Sequence, residues 1–238
     1  MIELVLGRAR AVWTDRRGGV SEPPYDRANL SLRCGDDTAA VLENRGRVAD
    51  ALRVEPPEQW WWLDQEHGRT AVVAAGPPPR EGVVADAAVT TQTGVPLVVL
   101  TADCAPIALA CDDAAGVVHA GWQGLLAGVI EEAVATLRAI GSGEVQAALG
   151  PCIHPARYEF GPAELDRVIA RLGPSVEARA ASGSPALDLP AAVRLALERA
   201  GVTAFTDVDV CTSTSSNHFS HRRDGETGRQ GLVVVLDP

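Results

Sequence analysis

His67, Cys104 and His119 are the side chains of this sequence with the types and setting for catalysis. Each falls where an apolar run gives way to a polar or glycine-containing stretch: Leu63-Asp64-Gln65-Glu66-His67-Gly68, Leu100-Thr101-Ala102-Asp103-Cys104 and Val117-Val118-His119-Ala120-Gly121. Strand ends that open into loops are where a rigid scaffold presents reactive groups. Two imidazoles and a thiolate make a sensible zinc set, and three protein ligands leave a fourth position for water or substrate. Zinc lowers the pKa of a bound water towards neutrality. Spacing alone leaves two other outcomes. One is Cys104 as a nucleophile with His119 as its base, the logic of Cys–His hydrolases. The other is a buried structural cysteine beside two ordinary histidines. With Ala114-Ala115 centring a hairpin, His119 falls opposite Leu109 or Ala110 rather than Cys104, so the Ala102–Ala105 loop has to fold back towards it. Asp103 is a candidate to orient a ligand or move a proton.

The elements that must position these groups follow from hydrophobic pattern and turn chemistry. Val95–Leu100, Pro106–Cys111 and Val117-Val118 read as three successive strands, with Asp112–Gly116 as a turn. Further strands are expected near Trp13 and over Thr70–Ala75, Val83–Thr91, Val145–Leu149, Ala204–Val210 and Leu232–Leu236. Asp37 or Thr38 caps a helix to about Arg53, with Val41, Val48, Ala49 and Leu52 on its packed face and Glu43, Asn44 and Arg45 mostly outside it. Leu125–Ile140 reads as one helix, Pro162 opens another to about Leu172, and Asp188 caps a third ending at Gly201. Residues 173–187 are rich in Ala, Ser, Gly and Pro and are expected to be mobile. Trp60-Trp61-Trp62 is expected in core or interface packing, with a purine-stacking wall as the alternative. Strands outnumber helices and many have no helix between them, which argues against a doubly wound sheet. The expectation is an α/β (α+β) fold, a single domain over residues 1–238, with packed mixed sheets flanked by helices.

Composition narrows the function. A formal charge of −10 over 238 residues excludes a generic nucleic-acid or anionic-membrane binder, because phosphate neutralisation needs a basic surface. No apolar stretch is long enough to span a bilayer, and the first residues do not resemble a signal peptide. A cytoplasmic location is expected. Five widely spaced cysteines without a CxxC motif are expected to be reduced thiols.

Several distinctive strings follow one another along the chain: Trp13–Ser21, Pro24-Tyr25 with Asn29-Leu30, Gly35-Asp36-Asp37 with Glu43-Asn44-Arg45, and Gln65–Gly68. They continue with Leu100–Pro106, His119–Trp122, Gly150–Ile153 with Tyr158-Glu159, Asp209–Thr212, and Phe219–Asp224 with Thr227–Arg229. With these strings the chain resembles the YfiH-like, or laccase-domain, family, once called multicopper polyphenol oxidases and now regarded as purine nucleoside enzymes. The resemblance covers nearly the whole chain, and so many strings in order are highly specific. It implies a four-layer α/β/β/α sandwich and zinc held by His67, Cys104 and His119. It implies phosphorolysis of adenosine, inosine, guanosine and 5'-methylthioadenosine to base and ribose 1-phosphate, and hydrolytic deamination of adenosine to inosine. Purine nucleoside and inorganic phosphate are then the small-molecule partners. Arg16, Asn29, Arg45, Arg222, Arg223 and Arg229 are candidates for substrate or phosphate, since guanidinium binds phosphate in a bidentate manner.

The chain departs from the family pattern at Gln123, where a basic residue is common, at Glu66, where an apolar residue is usual, and at His154 and His221. Loss of a cation at position 123 puts phosphate affinity in doubt, and Glu66 beside His67 is placed to alter ligand basicity. Multicopper oxidation fits poorly, because it needs a His2Cys copper site plus several more imidazole-bound coppers and the chain has five His. Copper is still able to occupy the zinc site in vitro, since it outcompetes zinc thermodynamically. The other enzyme class is a Cys–His hydrolase or polyphenol-oxidase-like oxidoreductase using Cys104 and His119. The non-enzyme alternative is a zinc-stabilised scaffold closed by a fourth ligand, Cys152 or Cys211.

Overall fold

Runs such as Leu97–Thr101, Ala105–Ala110 and Gln230–Leu236 are apolar at almost every position instead of alternating, and a strand of that kind needs cover on both faces. The computed structural model, which describes residues 1–79 and 82–238, supplies it. In chain order the elements are β1 (Ile2–Leu6), β2 (Ala9–Trp13), α1 (Thr38–Leu52), β3 (Trp61–Asp64), β4 (Ala71–Val73), β5 (Val83–Val84), β6 (Ala87–Thr90), β7 (Leu97–Thr101), β8 (Ala105–Ala110) and β9 (Ala115–Ala120). There follow α2 (Trp122–Ala127), α3 (Val129–Ile140), β10 (Gln146–Leu149), α4 (Pro162–Leu172), β11 (Glu177–Arg179), β12 (Pro185–Leu187), α5 (Leu189–Arg199), β13 (Ala204–Asp207), α6 (His221–Asp224) and β14 (Gln230–Leu236). Two mixed six-stranded sheets result, ordered β1-β2-β14-β7-β3-β5 and β13-β10-β8-β9-β6-β4.

The sheets pack face to face, and three cores separate four layers. Val12, Val98, Val233 and Val235 of the first sheet face α1 through Val48, Ala49 and Leu52. Their neighbours Ala11, Trp13, Leu97, Val99 and Val234 face the second sheet. There the second sheet presents small residues, Ala108, Ala110, Ala115 and Ala148, so bulky side chains of one sheet seat on a flat partner. Its other face, with Ile107, Leu109 and Val118, is covered by α3 and α5. This is the expected α/β/β/α sandwich.

Several expected boundaries move. The Leu125–Ile140 helix is two helices. Gly128 adopts φ 89, ends α2, and leads directly into α3. Residues 173–187 are an ordered turn and the β11–β12 hairpin, which closes over α4. The expected strand Val83–Thr91 is two strands in different sheets, β5 and β6. The β8–β9 hairpin turns at Asp112-Asp113, not Ala114-Ala115, so His119 lies opposite Pro106 and Ala105 opposite Ala120. That shift brings His119 to the Cys104 end of the hairpin without any folding back of the loop. Asn44 is buried, against expectation. It lies under the loop between β2 and α1, receives Val20 N–H, and donates to the Arg27 and Asn29 carbonyls. A long loop leaves backbone groups to satisfy, and this amide satisfies three.

Candidate metal centre and its cavity

Chain topology gathers the site. β3, β5 and β7 run parallel in the first sheet. Each is followed by a strand of the second sheet: β4, β6 and β8. Three crossovers therefore pass from sheet to sheet at one end of the sandwich. The first carries His67, the second Asp86 and the third Cys104. β9 runs antiparallel to β6 and β8 and returns to the same end, delivering His119 in its penultimate position.

The three crossovers are pinned locally. The Gln65 side chain imitates a strand: its Nε2 donates to the Leu100 carbonyl at 2.8 Å and its Oε1 receives Leu100 N–H at 2.8 Å. His67 then takes φ 58 and Asp103 φ 98, two of the four non-glycine residues with positive φ among those described. Such backbone is sparse outside glycine and clusters at functional sites. Gly121, just after β9, gives the trio room. A Cβ there would sit 2.7 Å from His67 Cδ2 and 3.2 Å from Cys104 Sγ.

One ligand atom from each of His67, Cys104 and His119 lies within 4.8 Å of the others. Cys104 Sγ is 3.6 Å from His67 Nε2, close to the edge of about 3.5 Å that tetrahedral zinc imposes between thiolate and imidazole ligands. His119 Nδ1 is engaged by Asp86 Oδ1 at 2.7 Å, which leaves Nε2 as the donor. The trio thus fits zinc by distance and donor type. Electrostatics agree. Burial pushes the Cys104 thiol up, but the adjacent His119 and His67 imidazoles outweigh it and hold the thiol below its ordinary value. Burial pushes His119 down, and the Cys104 sulfur and Asp86 outweigh it and raise it. Asp86 is held below the ordinary carboxylate range, with burial opposing and the His119 contact and the Gly68 and Glu66 N–H groups prevailing. Cys152 and Cys211 pair with each other across an isolated β-bridge. They are not in this ligand group, so a fourth protein ligand is absent among the described residues.

The trio opens into a cavity of about 440 Å³ whose wall also carries Arg33, Cys34, Gln65, Thr101, His221 and Arg229. Of the six candidate substrate or phosphate residues, Arg229 alone lines this cavity. Arg45 lines an adjoining cavity of about 490 Å³ that shares Ser31, Arg33, Leu63 and Leu100 with the first. Its guanidinium stacks 3.6 Å over Trp62 and donates to the Leu30 carbonyl, and burial lowers its pKa to about 10. Trp60 also stacks on Trp62, with centroids 5.4 Å apart. Trp62 is half-buried, packs against Trp60 and Arg45, and lines the adjoining cavity. The remaining candidates are engaged elsewhere. Arg16 pairs with Asp26 and Asp224. Arg223 donates to the Thr212, Ser215 and His218 carbonyls and to Asp224. Arg222 donates to the Glu159 carbonyl and lies over Tyr158. Asn29 is fully buried and bonds Ser31 and Arg229 main-chain groups. Asp103 receives the Thr212 hydroxyl at 2.5 Å and Arg222 N–H at 2.7 Å, so its carboxylate ties the 209–223 segment to the Cys104 turn. Glu66 and Gln123 are exposed, and neither lines the cavity. His221 does, whereas His154 lies near Asp209.

Arg33 and Asp86 were not singled out by sequence. Arg33 sits in an irregular loop, and Asp86 carries a signal only once its strand is seen to face His119.

The family model for multi-copper polyphenol oxidoreductase laccases matches residues 10–237. The chain belongs to this laccase-domain family. Among laccase-domain relatives, a purine nucleoside phosphorylase of Streptomyces coelicolor is 42% identical over 94% of this chain and 94% of its own. One of Corynebacterium glutamicum is 37% identical, over 95% and 94%. The crystal structure of YlmD from Geobacillus stearothermophilus superposes with a TM-score of 0.88 at 32% identity, covering 97% of this chain and 93% of that one. That of Bacillus licheniformis YfiH gives 0.89 at 27%, over 96% and 93%. The laccase-domain sandwich is thus shared with solved structures over almost its full length. No described helix is long and apolar enough to cross a membrane, and all five cysteines are free.

Proposed function

We propose that this chain, acting as one domain, is a zinc-dependent purine nucleoside phosphorylase that also deaminates adenosine. The observation that carries the reading is the three-ligand trio open to a cavity with Arg229 and Arg33 on its wall. A volume of about 440 Å³ suits a nucleoside, since ligand pockets run from about 300 to 1,000 Å³. The names of the relatives support the phosphorylase part of this reading. His67, Cys104 and His119 would hold zinc, whose Lewis acidity polarises a bound oxygen. In phosphorolysis the C1'–N9 bond breaks, a phosphate oxygen bonds to C1', and the base leaves with a proton. Arg229 is the cation proposed to hold the phosphate dianion; Arg33, on the same wall, pairs with Asp64. In deamination water replaces the C6 amino group of adenine, and ammonia leaves. Adenosine, inosine, guanosine and 5'-methylthioadenosine are the proposed nucleosides, and the cytoplasm is the proposed location.

Purified protein is incubated with adenosine, with and without phosphate, and adenine is separated from inosine. Adenine that appears only with phosphate supports phosphorolysis, and inosine under either condition supports deamination. Turnover that survives complete zinc removal and is lost on thiol alkylation would instead establish a Cys104–His119 nucleophile. No product with zinc fully bound would leave the scaffold.

A further inference from the structure

One buried carboxylate touches both histidine ligands. Asp86 lies between β5 and β6 and is 1% exposed. The antiparallel register that pairs Ala87 with Val118 sets it opposite His119. Its carbonyl receives His119 N–H at 2.7 Å, and its Oδ1 is 2.7 Å from His119 Nδ1. On its other side the carboxylate receives three successive main-chain N–H groups: Glu66 at 3.3 Å, His67 at 3.0 Å and Gly68 at 2.7 Å. The left-handed backbone of His67, φ 58, turns those donors inwards, as in the anion-binding nests of other folds. Every side-chain hydrogen bond of Asp86 therefore goes to a segment that carries a metal ligand.

We infer that Asp86 is the positioning residue of the metal centre, fixing His119 as the Nδ1–H tautomer with Nε2 towards the metal and clamping the turn that carries His67. The inference rests on the trio proposed above. A carboxylate is the group that can do both. It accepts on both oxygens, and imidazole ligands are oriented by such outer partners. An amide has one acceptor oxygen, and its NH2 would have to face either the His119 N–H or the 66–68 N–H groups.

The test reads metal, not turnover, so a failed phosphorylase assay leaves it intact. Zinc is titrated into wild type and Asp86→Asn against a chromophoric chelator, alongside thermal melts. We expect zinc affinity to fall about tenfold to a hundredfold in the variant. A carboxylate that only stabilises the fold would lower the melting temperature and leave the zinc affinity of the folded protein unchanged; that result overturns the inference. If Asp86→Asn does not fold, nitrogen-15 spectra of zinc-loaded wild type decide. A slowly exchanging proton on His119 Nδ1 supports it, and a proton on Nε2 overturns it. Wild type that binds no zinc would overturn the trio and this inference with it.

Discussion

Cys104 is flanked by two imidazoles that take it towards thiolate before any metal arrives, and thiolate is the form that ligates. Cys104→Ala leaves two donors. Wild type is expected to carry about one zinc per chain, the variant essentially none, and its adenosine turnover to vanish; elemental analysis with product chromatography checks both. The arginines separate in the same way. Arg229 faces the cavity while its side chain bonds, among the described residues, the carbonyls of Thr227 and Gly228, so Arg229→Ala should raise the KM for phosphate about tenfold or more with little change in melting temperature. Arg223 satisfies three loop carbonyls, so Arg223→Ala should cost about 2 kcal/mol in denaturant titration and leave the phosphate KM of the folded enzyme near wild type. By residue type alone these two arginines are equivalent. What distinguishes them is which carbonyls lie within reach.

Two glycines on either side of α2 make the corresponding point for elements. Gly121 has φ −81, which alanine adopts freely, so Gly121→Ala acts through the contacts its Cβ makes with His67 at 2.7 Å and Cys104 at 3.2 Å. It should weaken zinc binding while the fold survives, as read by metal titration beside circular dichroism. Gly128 has φ 89 and only ordinary contacts around a new Cβ. Gly128→Ala should cost about 1–2 kcal/mol of backbone strain and lower Tm by several degrees, with zinc affinity intact. The helix stripe from Leu125 to Leu137 was legible in the sequence, but the break within it was not. Glycine inside a helical pattern is usually tolerated, and only the fold shows α3 packed along β4, β6 and β9 while α2 also meets α4.

At the scale of the molecule, the loop between β2 and α1 is tied across the fold. The Tyr25 hydroxyl lies 2.5 Å from Glu226 Oε1 and 2.7 Å from the Cys34 carbonyl. The Glu226 contact leads burial in raising Tyr25 to about 12 from an ordinary 10.0. Folding favours the protonated phenol, so its contribution to stability is complete below pH 10 and is lost as pH rises towards 12. Urea midpoints should fall across that window, and less steeply in Tyr25→Phe. The chain has no lysine, and Tyr25→Phe separates the phenol from Arg45, which burial lowers into the same window.

The sequence by itself determined the layered α/β class, most strand positions, a cap at Asp37 or Thr38 and another at Asp188, and the identity of the three ligand-type side chains. Those follow from local chemistry: apolar runs that need two covered faces, side chains that accept helix N–H groups, and residue types with donor atoms. Tertiary structure alone decided that the β3–β4, β5–β6 and β7–β8 crossovers meet at one end, that Asp86 faces His119, that Asn29 lies buried behind the cavity wall, bonded to Ser31, Cys34 and Arg229, and that Arg16 and Arg223 are engaged away from the cavity. Strand order and register depend on packing between residues far apart in the chain, and a donor's partner is set by that packing and not by its own neighbours in sequence.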